Sequence, residues 1–362
     1  MIRLAVPVSD THLPSTVGLC SHHTYPIQIH SDDDEILEDP ETASPDSAAS
    51  SAAPAVPDAI GSYWYTCTFA EAVENDPEME IIGTCGSVRP MRLPFLKEVC
   101  KKVPGAELHD LRVGCPETEA AFPKISCMED ACLLVIPPSY LESKGIRHTA
   151  LKAEADTMPL DTKCYSRKHD GVVTKRSRAN NCIADVAQEP DISNRKGTIL
   201  SFSKLPELSK VRKEIGDLLG VQYASLFAET NRYCVGTKTG IGYHGDKERC
   251  VVVGIRIGGG VNPIAYQWSY KLQPVGDQMR FDIPEGSMYI MGAKAVGTDW
   301  KKQSIPTLRH AAGHVHYMPS PQQIIVEKLK KRAAACARKK ACLRKEEAAA
   351  SARGTVPPPP VV

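Results

Sequence analysis

The chain has 362 residues and 13 cysteines, yet none of them forms a C-x-x-C pair. That spacing is the usual mark of a structural zinc site or a redox-active dithiol, so the sequence predicts neither. Scattered cysteines in odd number fit reduced thiols inside a cell better than a disulfide framework. No stretch approaches about 18 uninterrupted apolar residues, which excludes a recognisable membrane-spanning helix. The opening MIRLAVPVSDTHLP has too short an apolar run for a secretory leader. Net charge is nearly absent too, at +1, so the overall balance names no partner. No repeat period is visible. The expectation is a soluble, intracellular protein, nuclear or cytoplasmic, that does not engage a membrane.

Charge is uneven along the chain. Residues 31–60 carry nine acids and no Lys or Arg, embedded in Ser, Ala and Pro. Such a composition buries too little apolar surface to offset chain entropy, so 1–60 reads as a disordered acidic arm. Residues 321–362 carry ten Lys or Arg against three Glu and read as a basic helical tail with a Pro-rich end. Such a tail suits the phosphates of DNA or RNA; its other readings are an import signal or a solvated helix. Between the two lie 61–165, an extension or subdomain without assignable chemistry, and 166–320, where the chemistry-bearing residues concentrate. Hydrophobic residues, 42% of the chain, suffice for a sizeable core.

Local patterns predict several elements. LPFLKEVCKKV (93–103) has helical spacing, and ACLLVIPPSYL (131–141) reads as a strand stopped by Pro137 and Pro138. In 197–220 a strand precedes an amphipathic helix with Leu208, Val211, Ile215 and Leu218 on one face and Gly220 as its stop. From 221 to 317 short β runs alternate with turn residues, as in a sandwich or barrel.

The segment NRYCVGTKTGIGYHGDKERCVVVGIRIG (231–258) carries the chemistry. His244 and Asp246 are two apart, and on an extended strand such residues share a side. One imidazole and one carboxylate can then meet a single metal. A third ligand, His310 in TLRHAAG, completes a two-His, one-carboxylate set that leaves coordination positions open. By itself His-x-Asp also fits a polar loop. His314 and His316 compete with His310. Glu248 and Arg249 either touch substrate or cap the strand. Tyr266 and Trp268 either stack a base or fill the core. Cys115, Cys127 and Cys132 lack the tight spacing of a zinc site.

These residues, with Asn231-x-Tyr233, Arg256-Ile257-Gly258, Tyr266-Gln267-Trp268, Gly286–Met291 and Leu308-Arg309-His310, resemble the AlkB-like 2-oxoglutarate/Fe(II) oxygenase superfamily. The segments GIGYHGDKER and KAVGTDWKKQSIPTLRHAAG resemble in particular a branch seen in large DNA viruses and microbial eukaryotes. The resemblance covers about residues 170–317. It implies an α+β chain with a double-stranded β-helix (jelly-roll) core and flanking helices. It implies Fe(II) on His244, Asp246 and His310, with 2-oxoglutarate and O2 as cosubstrates and Asn231 and Tyr233 against the 2-oxoglutarate. One feature departs from the family: no arginine follows the distal His on a late strand. A guanidinium is the natural partner of the cosubstrate carboxylate. Arg256 and Arg309 are the substitutes, Arg256 favoured as a charge within an apolar run. The expected activity is hydroxylation or demethylation, with an alkylated nucleic-acid base as first candidate substrate. The alternatives are a protein or small-molecule target, or a non-catalytic nucleic-acid-binding protein on a degenerate oxygenase fold.

Overall fold

A computed structural model describes residues 63–115, 128–234, 239–259 and 262–353. The expected disorder of 1–60 and the Pro-rich end lie outside the described residues. In chain order the strands are β1 Tyr63–Ala70, β2 Ala72–Glu74, β3 Ile81–Gly83, β4 Glu107–Asp110, β5 Cys132–Ile136, β6 Lys163–Ser166, β7 Gly171–Thr174 and β8 Ala179–Ala184. They continue as β9 Ile199–Ser201, β10 Phe227–Cys234, β11 Gly240–His244, β12 Val252–Ile257, β13 Asn262–Tyr270, β14 Gln273–Ile283, β15 Met288–Met291 and β16 Thr307–Gly313. The helices are α1 Leu93–Lys102, α2 Pro138–Ser143, α3 His148–Thr157, α4 Pro206–Leu219, α5 Ala293–Val296 and α6 Pro321–Arg353.

The architecture is mixed α+β. An eight-stranded sheet has the order β4-β5-β15-β12-β1-β10-β8-β9, antiparallel except for the β8–β9 pair. A four-stranded sheet has the order β11-β16-β13-β14, and two small hairpins complete the set. Alternation along the central strands divides the core in two. Val253, Ile255 and Ile257 of β12 join Tyr65, Cys67 and Phe69 of β1 in a cluster with the apolar faces of α1, α3 and α4. Their neighbours Val252, Tyr289 and Met291 point the other way and meet Ile264, Tyr266, Trp268 and Leu308 of the smaller sheet. Arg256 has the parity of Val252, so its side chain leaves β12 on that second face, between the sheets.

The amphipathic stripe expected for α4 is present, with Leu219 rather than Leu218 as its deepest last residue. Pro206 opens the helix, and Gly220, at φ 115°, ends it. β5 stops before Pro137 as expected. Among the described residues, β1 lies between β10 and β12, and β5 pairs with β15 in the same sheet, so strands of the expected extension 61–165 pair with strands of 166–320. Local composition does not register such long-range pairing. No helix among the described residues is long and apolar enough to cross a membrane.

Candidate metal centre

β11 and β16 run antiparallel with His244 directly opposite His310. Cross-strand neighbours have close side chains, and the two imidazole centroids are 4.4 Å apart. Asp246 lies just past β11, held by its backbone N–H to the Val296 carbonyl (3.0 Å). Gly245 permits this approach, because a Cβ there would lie 2.2 Å from the Gly297 carbonyl oxygen. Asp246 Oδ1 is 3.5 Å from His244 Nε2 and 3.7 Å from His310 Nε2.

The other ring nitrogens are engaged. His244 Nδ1 is 2.7 Å from the Gly242 carbonyl, and His310 Nδ1 is 3.3 Å from that of Ala295. Donation there sets the tautomer and leaves both Nε2 lone pairs facing the carboxylate. Burial, then the neighbouring His244, pushes the His310 pKa well below the usual histidine value, so its imidazole is neutral at pH 7. Three acceptor atoms thus converge with no donor between them, an arrangement that could hold a divalent cation. Two imidazoles and a carboxylate suit Fe(II), and these residues fit the ion the resemblance implies.

Behind Asp246 sits a buried charge cluster. Arg249 is 5% exposed. Its Nη2 lies 2.8 Å from Glu229 and 2.6 Å from Glu248, and its Nε 3.7 Å from Asp246 Oδ2. Arg249 therefore backs the candidate metal-binding carboxylate rather than meeting solvent, and Glu248 pairs with it. Glu229 also accepts from Asn231 Nδ2 (2.9 Å), whose Oδ1 accepts from Arg178 Nε (2.6 Å).

Around this cation carboxylates are in excess. Burial, then the charges of Glu248 and Glu229, raises Glu74 from its ordinary 4.5 to about 8. The folded state then holds a proton that the unfolded chain has released. The stability this group contributes is present below pH 4.5 and is lost as pH rises towards 8. Urea midpoints of the wild type are expected to fall relative to Glu74→Gln across that window. Parallel curves would refute this.

Arg256 is fully buried on the face between the sheets. Nη1 donates to Thr66 Oγ1, and Nη2 to the Pro263 carbonyl at 3.4 Å. The guanidinium carbon lies 4.8 Å from the Trp64 ring centroid and 5.6 Å from that of Tyr289. Among the described residues no carboxylate pairs with it, and none forms a hydrogen bond with Arg256 Nε, Tyr266 OH or Ser287 Oγ. Burial lowers its pKa. Tyr233 stacks on Trp64 with centroids 4.3 Å apart, so it borders the same guanidinium.

Arg309 is placed differently. It follows Leu308 and precedes His310 on β16, so its side chain leaves the opposite face. There it lies 5.1 Å from the Trp300 ring centroid and donates to the Trp300 carbonyl (3.4 Å). Its position gives no support to the cosubstrate contact expected of it, and strand parity is the reason. His314 and His316 are exposed, and neither joins the cluster. Trp268 is core, its Nε1 donating to the Leu111 carbonyl (2.8 Å). Cys115 and Cys132 are buried and belong to no three-ligand group among the described residues; Cys127 lies outside them. Sequence reasoning missed the backing role of Arg249 and the contribution of β1. The alternation Trp64, Thr66, Thr68 against Tyr65, Cys67, Phe69 was the available signal for the latter.

No protein-family profile matches the chain. It is 42% identical over 142 residues to an uncharacterized protein of Acanthamoeba polyphaga mimivirus. That match takes in 39% of this chain and 55% of the viral protein, so the chain spans about half the length of the curated relative.

Proposed function

We propose that this chain is an Fe(II)- and 2-oxoglutarate-dependent oxygenase of AlkB-like type, with a jelly-roll core. The observation that carries the reading is the convergence of His244 Nε2, His310 Nε2 and Asp246 Oδ1. The strand order supports it. From β10 onward the strands are shared between two antiparallel layers, β10, β12 and β15 in one and β11, β13, β14 and β16 in the other. In the large sheet β1 lies where a strand following β16 would close such a layer. This accounts for the lack of a late-strand arginine, since the chain after β16 leaves as α6.

His244, Asp246 and His310 would hold the iron, which with 2-oxoglutarate and O2 supplies oxidation of a substrate C–H bond coupled to loss of CO2 and formation of succinate. Arg256 would pair with the cosubstrate's free carboxylate, a role for which its buried, anion-free guanidinium is suited. Thr66, Trp64 and, stacked on Trp64, Tyr233 hold that guanidinium in place, while Asn231 lies across β1 from it, bonded to Glu229 and Arg178. The apolar cluster of Tyr266, Trp268 and Ile264 excludes water. Arg249, with Nε 3.7 Å from Asp246 Oδ2, orients that carboxylate from behind.

The substrate class proposed is an alkylated nucleic-acid base. Its support is the exposed α6, whose Lys330, Lys331, Arg338, Lys339, Lys340, Arg344 and Lys345 suit a phosphate backbone. The deciding experiment is anaerobic titration of the full chain with Fe(II) and 2-oxoglutarate. The visible metal-to-ligand charge-transfer absorption of a chelate is expected. Succinate formation with methylated oligonucleotides, and none with methylated peptides, is expected next. A chain that binds neither Fe(II) nor 2-oxoglutarate would instead be a non-catalytic protein on this fold.

A further inference from the structure

A second cluster of metal-ligating side chains lies outside the histidine site. Glu71 follows β1, Cys85 lies in the turn after β3, and Cys250 stands just before β12. One ligand atom from each lies within 4.8 Å of the others. Glu71 is 1% exposed, and its carboxylate is pinned from two directions. Oε1 accepts from the backbone N–H groups of Gly86 (3.1 Å) and Cys250 (2.6 Å), and Oε2 from that of Val251 (3.0 Å). Cys250 Sγ is held against the Val88 carbonyl (3.5 Å), while Cys85 is exposed.

We propose that Glu71, Cys85 and Cys250 form a binding site for a thiophilic divalent cation, zinc foremost, with water completing its coordination on the exposed Cys85 side. Tetrahedral zinc with Zn–S bonds of about 2.3 Å sets its sulfurs roughly 3.8 Å apart, so the trio needs only a small contraction. Two thiolates and a carboxylate select such an ion over magnesium or calcium. Glu71 retains a lone pair on Oε2 for the metal, since only one N–H occupies that oxygen. In the free protein, burial and the Glu71 charge hold both thiols protonated, with Cys250 pushed up to about 12. Protonated thiols are poor partners for disulfide exchange, whereas a cation displaces their protons. On binding, two S–metal bonds and one O–metal bond form and two protons leave to solvent. No electron is transferred. The bound ion would tie the turn after β3 to the base of β12, the strand that bears Arg256.

The test is anaerobic titration of the reduced, metal-stripped full chain with Co(II), read by thiolate-to-cobalt charge transfer in the near ultraviolet. The absorption is expected to saturate, at one equivalent in His244→Ala where the other cluster is disabled, and to be displaced by Zn(II). It is expected to persist in His244→Ala, which disables the other cluster but has no sulfur, and to vanish in Cys85→Ser and in Cys250→Ser. Cys85 is exposed, so its serine variant keeps the fold, with circular dichroism as the check. The proposal is overturned by no thiolate absorption in the wild type, or by absorption that survives both serine variants. A Cys85–Cys250 disulfide whose reduction restores thiols but no cobalt binding overturns it equally. None of these outcomes depends on the oxygenase reading.

Discussion

His310→Ala is expected to weaken Fe(II) binding more than ~100-fold, since even a neighbour that only orients a metal ligand is worth 10- to 100-fold. 2-Oxoglutarate turnover should fall with it. The same loss is expected for His244→Ala and Asp246→Ala, because each removes one of three atoms converging on a single point. Arg309→Ala is the matched control. It alters the residue next to His310 on β16 but on the opposite face, so iron affinity should stay within a few-fold of wild type. Equilibrium dialysis against Fe(II) or Mn(II), with circular dichroism to show retained fold, reads the series. Full iron affinity in His310→Ala would remove the triad from consideration. Because burial holds the His310 imidazole neutral, binding at that ligand displaces no proton at neutral pH.

Arg256→Met should separate cosubstrate binding from stability. In the wild type a fully buried guanidinium has neutral partners, the Thr66 hydroxyl, the Pro263 carbonyl and aromatic rings. Desolvating such a charge is costly, and replacing it by an apolar side chain of similar length is often neutral or stabilising. The variant is therefore expected to melt at or above the wild-type temperature and to keep its iron affinity. Its 2-oxoglutarate affinity should nevertheless fall by roughly 10- to 150-fold, the equivalent of about 1.5–3 kcal/mol for a hydrogen bond to a charged group. Isothermal titration and differential scanning calorimetry give the two readouts. If Arg256 only shapes the core, the pattern reverses, with a lower melting temperature and unchanged cosubstrate affinity.

Much of the site is legible in sequence because it depends on short-range rules. The two-residue spacing of His244 and Asp246 anticipates their meeting, although Asp246 lies just past the end of β11. Arg256 stands out as the charge in an apolar run, and α1, α4 and the end of β5 follow from helical spacing, Gly220 and Pro137. Parity along β16 likewise places Arg309 and His310 on opposite faces. What sequence does not reveal is set by distant partners. Nothing near Arg249 indicates that Glu229, on another strand, completes its ion pairs. The alternation along Tyr63–Ala70 marks a strand but not its place between β10 and β12. The segment therefore reads as a separate extension while it forms the middle of the main sheet.

That placement of β1 bears on how the molecule is made. Its two flanking strands, β10 and β12, lie in the second half of the chain, so translation must pass Ile257 before Tyr63–Ala70 can be hydrogen-bonded on both sides. Pairing of this kind waits on the closure of very large loops and is correspondingly slow. In the meantime an early, half-apolar ribbon emerges from the ribosome with both edges bare, the condition that invites pairing with another chain. Yield in a heterologous host should therefore be governed by how long that ribbon waits, and slower growth at lower temperature with abundant chaperone is the natural regime for producing the protein.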